Sequence, residues 1–120
     1  MGVRVVVIED DGDLREAICM MLRYEGFEPV DFADAREAIR RIENGLPADV
    51  ILLDLMMPLM NGWEFCQHRM GSAALARVPV IVITARQTVT PEPVGVSDVL
   101  LKPFDLEALQ AAIARVVDHT

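Results

Sequence analysis

Four short apolar runs constrain this chain more than any other feature: Val5-Val6-Val7-Ile8, Val50-Ile51-Leu52-Leu53, Val78 to Ile83, and Val99-Leu100-Leu101. They do not alternate with polar residues, and β-branched side chains dominate them. A strand with one wet face alternates. An unbroken run suits a strand covered on both faces, as in parallel sheets. A fifth, more polar stretch, Phe27 to Phe32, contains Pro29 and suits an edge strand, where a missing N–H does least harm.

Helix-period segments lie between the runs. Leu14, Ala17, Ile18, Met21 and Leu22 make one core-facing stripe, with Asp13 placed to cap its start and Gly26 to end it. Asp34-Ala35-Arg36-Glu37 reads as a capping box before the stripe Ala35, Ala38, Ile39 and Ile42, which Gly45 stops. A third helix is expected from Gly62 to about Met70, packing through Trp63, Phe65 and Cys66. A last one follows Asp105, with Leu106, Leu109, Ile113, Val116 and Val117 facing inward. Such alternation builds βαβ units with right-handed crossovers and a parallel sheet carrying helices on both sides. One stretch breaks the rhythm. Gln87 to Ser97 reads QTVTPEPVGVS, and Pro91, Pro93 and Gly95 oppose a helix interior. The fourth crossover helix is therefore expected to be short, distorted or absent. The length of 120 residues fits one domain, expected to span 1–120.

The net charge of −8 repels phosphate backbones and anionic lipid, so neither nucleic acid nor membrane is expected as a direct partner. No apolar run is long enough to span a bilayer. Cys19 and Cys66 have no metal-ligand spacing and read as packing residues of a cytoplasmic protein. His68 and His119 are isolated and read as surface or helix-end residues.

In an open parallel sheet the carboxyl ends of the strands line one crevice, where ligands bind. Here those ends deliver Glu9, Asp10 and Asp11 after the first strand, Asp54 after the third, Thr84 after the fourth and Lys102 after the fifth. Lys102 is the one lysine among eleven basic residues. Crowded carboxylates repel one another, by about 4 kcal/mol for a pair 4 Å apart at an effective dielectric of 20. A divalent cation relieves this. Oxygen-only ligands favour Mg²⁺, or Mn²⁺, over Zn²⁺. A nearby ammonium and hydroxyl suit phosphoryl oxygens, and a central carboxylate can act as a nucleophile to give an acyl phosphate.

These residues resemble the receiver domains of response regulators in two-component signalling. The segments that carry the resemblance are Val7-Ile8-Glu9-Asp10-Asp11, Asp54-Leu55-Met56-Met57-Pro58-Leu59-Met60-Asn61-Gly62, Thr84-Ala85 and Lys102-Pro103-Phe104. The resemblance implies a (βα)₅ flavodoxin-like fold with strand order 2-1-3-4-5. It implies Asp54 as phosphoacceptor, with Glu9, Asp10, Asp54 and the Met56 backbone carbonyl as Mg²⁺ ligands. Thr84 and Lys102 would contact the phosphoryl group, and Lys102-Pro103 would be a cis peptide. Asp11 is read as solvated or as positioning the loop. The implied donor is a phosphohistidine on a sensor histidine kinase or phosphotransfer protein, and the implied recipient is an output protein or domain that the sequence does not name.

The chain departs from the family in two places. Val99 stands where an aromatic residue commonly precedes the lysine, and its stiff χ1 cannot swing in and out. The interval from Thr84 to Lys102 is also shorter than the family norm by about one helical turn, ~4 residues. Met56 and Arg86 hold the two variable positions flanking the pocket, and their bulk predicts slow loss of phosphate. Two rivals follow from the same residues. One is a receiver-like interaction module that works without phosphorylation. The other is an Asp-nucleophile phosphatase, which would want a second Asp where Met56 stands.

Overall fold

The apolar runs form strands β1 (Arg4–Ile8), β3 (Val50–Asp54), β4 (Val80–Thr84) and β5 (Asp98–Leu101), and the polar stretch forms β2 (Glu28–Phe32), in a computed structural model that describes residues 2–117. All neighbours are parallel, and the order is β2-β1-β3-β4-β5, as expected, with the Pro29 strand at an edge. Every residue of β3 and β4 is buried.

Side-chain alternation splits each central strand between two apolar layers. Val5, Val7, Val50, Leu52, Ile81 and Ile83 pack with helices α1 (Gly12–Tyr24) and α5 (Leu106–Val117). Val6, Ile8, Ile51, Leu53, Val80 and Val82 pack against α2 (Ala35–Glu43), α3 (Gly62–Met70) and α4 (Ala73–Ala76). The one-turn α4, capped by Ser72, precedes β4 and was not foreseen. Four residues are too few to show a periodic stripe.

Several caps follow the sequence reading. Asp34 accepts from Arg36 N–H at the start of α2, and Gly26 and Gly45, both at positive φ, lie just past α1 and α2. Two details need correcting. Asp11, not Asp13, caps α1, its carboxylate accepting from the N–H groups of Asp13 and Leu14. The reciprocal capping box belongs to α3, between Asn61 and Glu64. Gly62 is required at that turn, because a Cβ there would lie 2.8 Å from Leu55 Cα. His68 is not isolated, its Nε2 lying 3.3 Å from Glu43 Oε2. His119 lies outside the described residues.

The largest departure from a regular (βα)₅ plan is the β4–β5 crossover, residues 85–97, in which none of the described residues is helical. The crossover is held at separate points. Val89 and Val96 pack on the α2–α3 layer, Ser97 N–H donates to Val80 O at 2.9 Å, and Trp63 Nε1–H donates to Pro91 O at 2.6 Å. Arg69 of α3 is buried and donates to three carbonyls, Val78 O (3.0 Å), Ala76 O (3.0 Å) and Gly95 O (3.4 Å). Gly95 has φ +74°, and a Cβ there would come within 2.8 Å of the Arg69 guanidinium. With no helix over β5 on that side, Val99 and Leu101 are 42% and 44% exposed.

Candidate functional site

The carboxyl ends of β1, β3, β4 and β5 bring Glu9, Asp54, Thr84 and Lys102 to one rim. Carboxylate oxygens of Glu9, Asp10 and Asp54 all lie within 4.8 Å of one another. Lys102 Nζ donates to Glu9 Oε1 at 3.1 Å and lies 3.5 Å from Asp54 Oδ1. The local backbone explains the placement. Glu9 follows β1 directly, and its N–H donates to Phe32 O of β2. Asp54 is the last residue of β3, 4% exposed, and its Oδ1 accepts the Met56 N–H at 3.3 Å. Lys102 follows β5, with its N–H on Thr84 O at 2.8 Å. Lys102-Pro103 is cis, as is Thr90-Pro91.

Burial decides the electrostatics. Glu9 is 1% exposed, and desolvation pushes its carboxyl up to about 7, aided by the hydrogen bond it shares with Asp54 and by the Asp54 charge. The Asp11 N–H and Lys102 pull it down. At Lys102 burial opposes the ammonium, but the Glu9 hydrogen bond and the Asp54 and Glu9 charges outweigh it and raise the group. One ammonium thus serves two buried carboxylates, with exposed Asp10 beside them. This donor set is all oxygen, acidic and open on one side. It fits a hard divalent cation that keeps part of its water shell.

Thr84 is buried, and its hydroxyl oxygen accepts the Arg86 N–H at 3.1 Å. Met56 is over half exposed. Asp11 positions the acidic loop, donating its N–H to Glu9 Oε2 while its side chain caps α1. Arg15 was missed. Its Nη1 donates to Glu9 O at 2.9 Å and its Nε pairs with Asp31 at 2.9 Å, bracing the loop from α1. No spacing within the chain signals a contact that joins a helix to two strand ends. Cys19 and Cys66 are free and buried, and desolvation raises the Cys66 thiol to about 11, so it is a poor nucleophile.

Residues 5–114 match the response regulator receiver domain. The chain belongs to that family. Phosphate regulon transcriptional regulatory protein PhoB of Escherichia coli is 34% identical across 98% of this receiver domain, which covers 52% of PhoB. Response regulator MprA of Mycobacterium tuberculosis is 34% identical across all of it, covering 53% of MprA. The chain therefore spans about half the length of these curated relatives. Among solved structures, the receiver domain of sensor histidine kinase PA1611 from Pseudomonas aeruginosa aligns at TM-score 0.89 and 28% identity, over 98% of this chain and 99% of that one. It carries a magnesium ion coordinated in its active site cleft. Chemotaxis response regulator CheY4 of Vibrio cholerae aligns at TM-score 0.87 and 28% identity, over 97% of this chain and 99% of that one. Receiver domains of this family are generally signalling switches rather than classical enzymes. No helix among the described residues is long and apolar enough to cross a membrane.

Proposed function

We propose that residues 1–120 form a single receiver unit whose partner binding is controlled by phosphorylation of Asp54. The observation that carries this reading is the buried Asp54 carboxylate with the Lys102 ammonium 3.5 Å away and two further carboxylates alongside. The donor is a phosphohistidine of a sensor histidine kinase or phosphotransfer protein. An Asp54 oxygen forms the new P–O bond as the P–N bond breaks, and the imidazole leaves with the electron pair and takes a proton from solvent. Lys102 holds the nucleophile in place beforehand and offers its charge to the phosphoryl oxygens afterwards. Thr84 presents a hydroxyl donor to the same oxygens. Glu9, Asp10, Asp54 and the Met56 carbonyl would hold Mg²⁺, which when bound offsets charge on the phosphoryl group in transfer. No further carboxylate stands where Met56 is to serve as a general acid, which supports a switch over a phosphatase. The two buried free thiols agree with a cytoplasmic setting, which is likewise part of the proposal.

The test is incubation with a small phosphodonor, followed by intact mass. A single phosphoryl adduct is expected with Mg²⁺ and none with a chelator. The isolated adduct should persist, and Met56→Asn should shorten its lifetime by admitting water. Absence of an adduct with Mg²⁺ present would favour the phosphorylation-independent module.

A further inference from the structure

Trp63 joins the phosphoacceptor rim to the helix-free crossover. Its indole N–H donates to Pro91 O at 2.6 Å, and the Arg86 guanidinium lies over its ring, 6.0 Å from the centroid. Arg86 is tied in turn to the rim through its N–H on Thr84 Oγ1 at 3.1 Å. Thr84 follows Ile83, which pairs in register with Asp54 on the adjacent strand.

We propose that Trp63, through Arg86, is the lever by which a phosphoryl group on Asp54 repositions the 85–97 crossover. The inference rests on the Asp54 reading above. A phosphoryl group brings close to two negative charges and three acceptor oxygens. The Thr84 hydroxyl accepts from Arg86 but still has its own proton to donate, so turning it toward the phosphoryl group draws the Arg86 backbone with it. The Arg86 side chain then faces a choice of partner. An exposed guanidinium 6.0 Å from a ring centroid makes a weak contact, whereas a charge-assisted bond to a phosphoryl oxygen is a strong one. Arg86 therefore leaves the ring.

Trp63 also packs on the α2–α3 layer, so the indole stays seated, but without the cation over it its bond to Pro91 loosens. That matters because the crossover has no helical hydrogen bonds of its own. It is attached by Trp63, Ser97, Arg69 and two packed valines, so releasing one attachment changes where the segment sits. The signal thus reaches a surface beside exposed Val99 without an aromatic residue on β5.

Trp63 is the chain's only tryptophan, so its emission reads this lever directly. Emission and acrylamide quenching would be recorded with Mg²⁺ alone and with Mg²⁺ plus phosphodonor, with phosphoryl occupancy read by intact mass on the same samples. Phosphorylation is expected to shift emission to the red and strengthen quenching beyond the effect of Mg²⁺. Arg86→Gln keeps the backbone N–H but removes the cation. It should abolish that response per phosphorylated molecule. A full adduct with unchanged emission overturns the lever while leaving Asp54 as phosphoacceptor. A response that survives in Arg86→Gln also overturns it. No adduct on the unaltered chain overturns both readings.

Discussion

Asp54→Asn is expected to abolish phosphoryl uptake completely while leaving the fold intact. The amide has the shape of the carboxylate but no anionic oxygen to attack phosphorus. Lys102 cannot substitute, because its ammonium is held charged by Glu9 and has no lone pair to offer. Glu9 is 1% exposed and its two carboxylate oxygens accept from the Lys102 ammonium and the Asp11 N–H, so it is a poor replacement nucleophile. Loss of fold is not expected, because the substitution removes one charge from a crowded acidic cluster and takes away one cause that raises Glu9. The metal-free variant should melt at or above the temperature of the unaltered chain. Asp10→Asn is the informative companion. It keeps the nucleophile and removes an exposed carboxylate, so it should slow phosphorylation and demand more Mg²⁺ without eliminating the adduct. Intact mass over a Mg²⁺ series separates the two patterns.

Arg69→Ala is expected to be the most damaging single change outside the central sheet. The side chain is 7% exposed and donates to the carbonyls of Ala76, Val78 and Gly95. No carboxylate pairs with it among the described residues, so the three carbonyls hold the guanidinium and it satisfies them. Truncation leaves buried acceptors short of donors and opens a cavity. Hydrogen bonds from a charged donor contribute ~1.5–3 kcal/mol each and do not add fully, which puts the loss near ~3 kcal/mol. For a chain of this size that is roughly 10 °C in Tm. Hydrogen exchange should quicken at Ser97 N–H, since the crossover it anchors loses its Gly95 attachment. Arg77→Ala, on an exposed neighbour, should stay within about 0.5 kcal/mol. Equal effects of the two substitutions, read by denaturant unfolding, would contradict this role for Arg69.

The architecture was legible in the sequence because it rests on short-range patterns. Unbroken apolar runs marked the buried strands β1, β3 and β4, Pro29 marked one edge, and Pro91, Pro93 and Gly95 marked the crossover without a helix. The run Val99-Leu100-Leu101 read the same way, but β5 is the other edge and buries only Leu100. The convergence of Glu9, Asp54, Thr84 and Lys102 followed from where strands end in a parallel sheet. What escaped was of another kind. Asp11 and Asp13 are both plausible caps two residues apart, and only the backbone at Asp11, extended at φ −72° and ψ 109°, chooses between them. Arg69 and Arg15 carried no signal in the sequence. Arg69 meets only backbone carbonyls and Arg15 meets one carbonyl and Asp31, 16 residues away, so neither contact has a sequence signature. Trp63 looked like ordinary packing, and its link to Pro91 joins residues 28 apart.

The central claim is that Asp54, at the rim it shares with Lys102 and the acidic pair, is the group that takes phosphate. Borohydride reduces an aspartyl acyl phosphate to homoserine, which marks the phosphorylated position. After phosphorylation with Mg²⁺ and borohydride treatment, peptide mass spectrometry should find homoserine at position 54 and nowhere else. Homoserine at another aspartate, or an unmodified position 54 in protein that carries a phosphoryl group, would contradict the account.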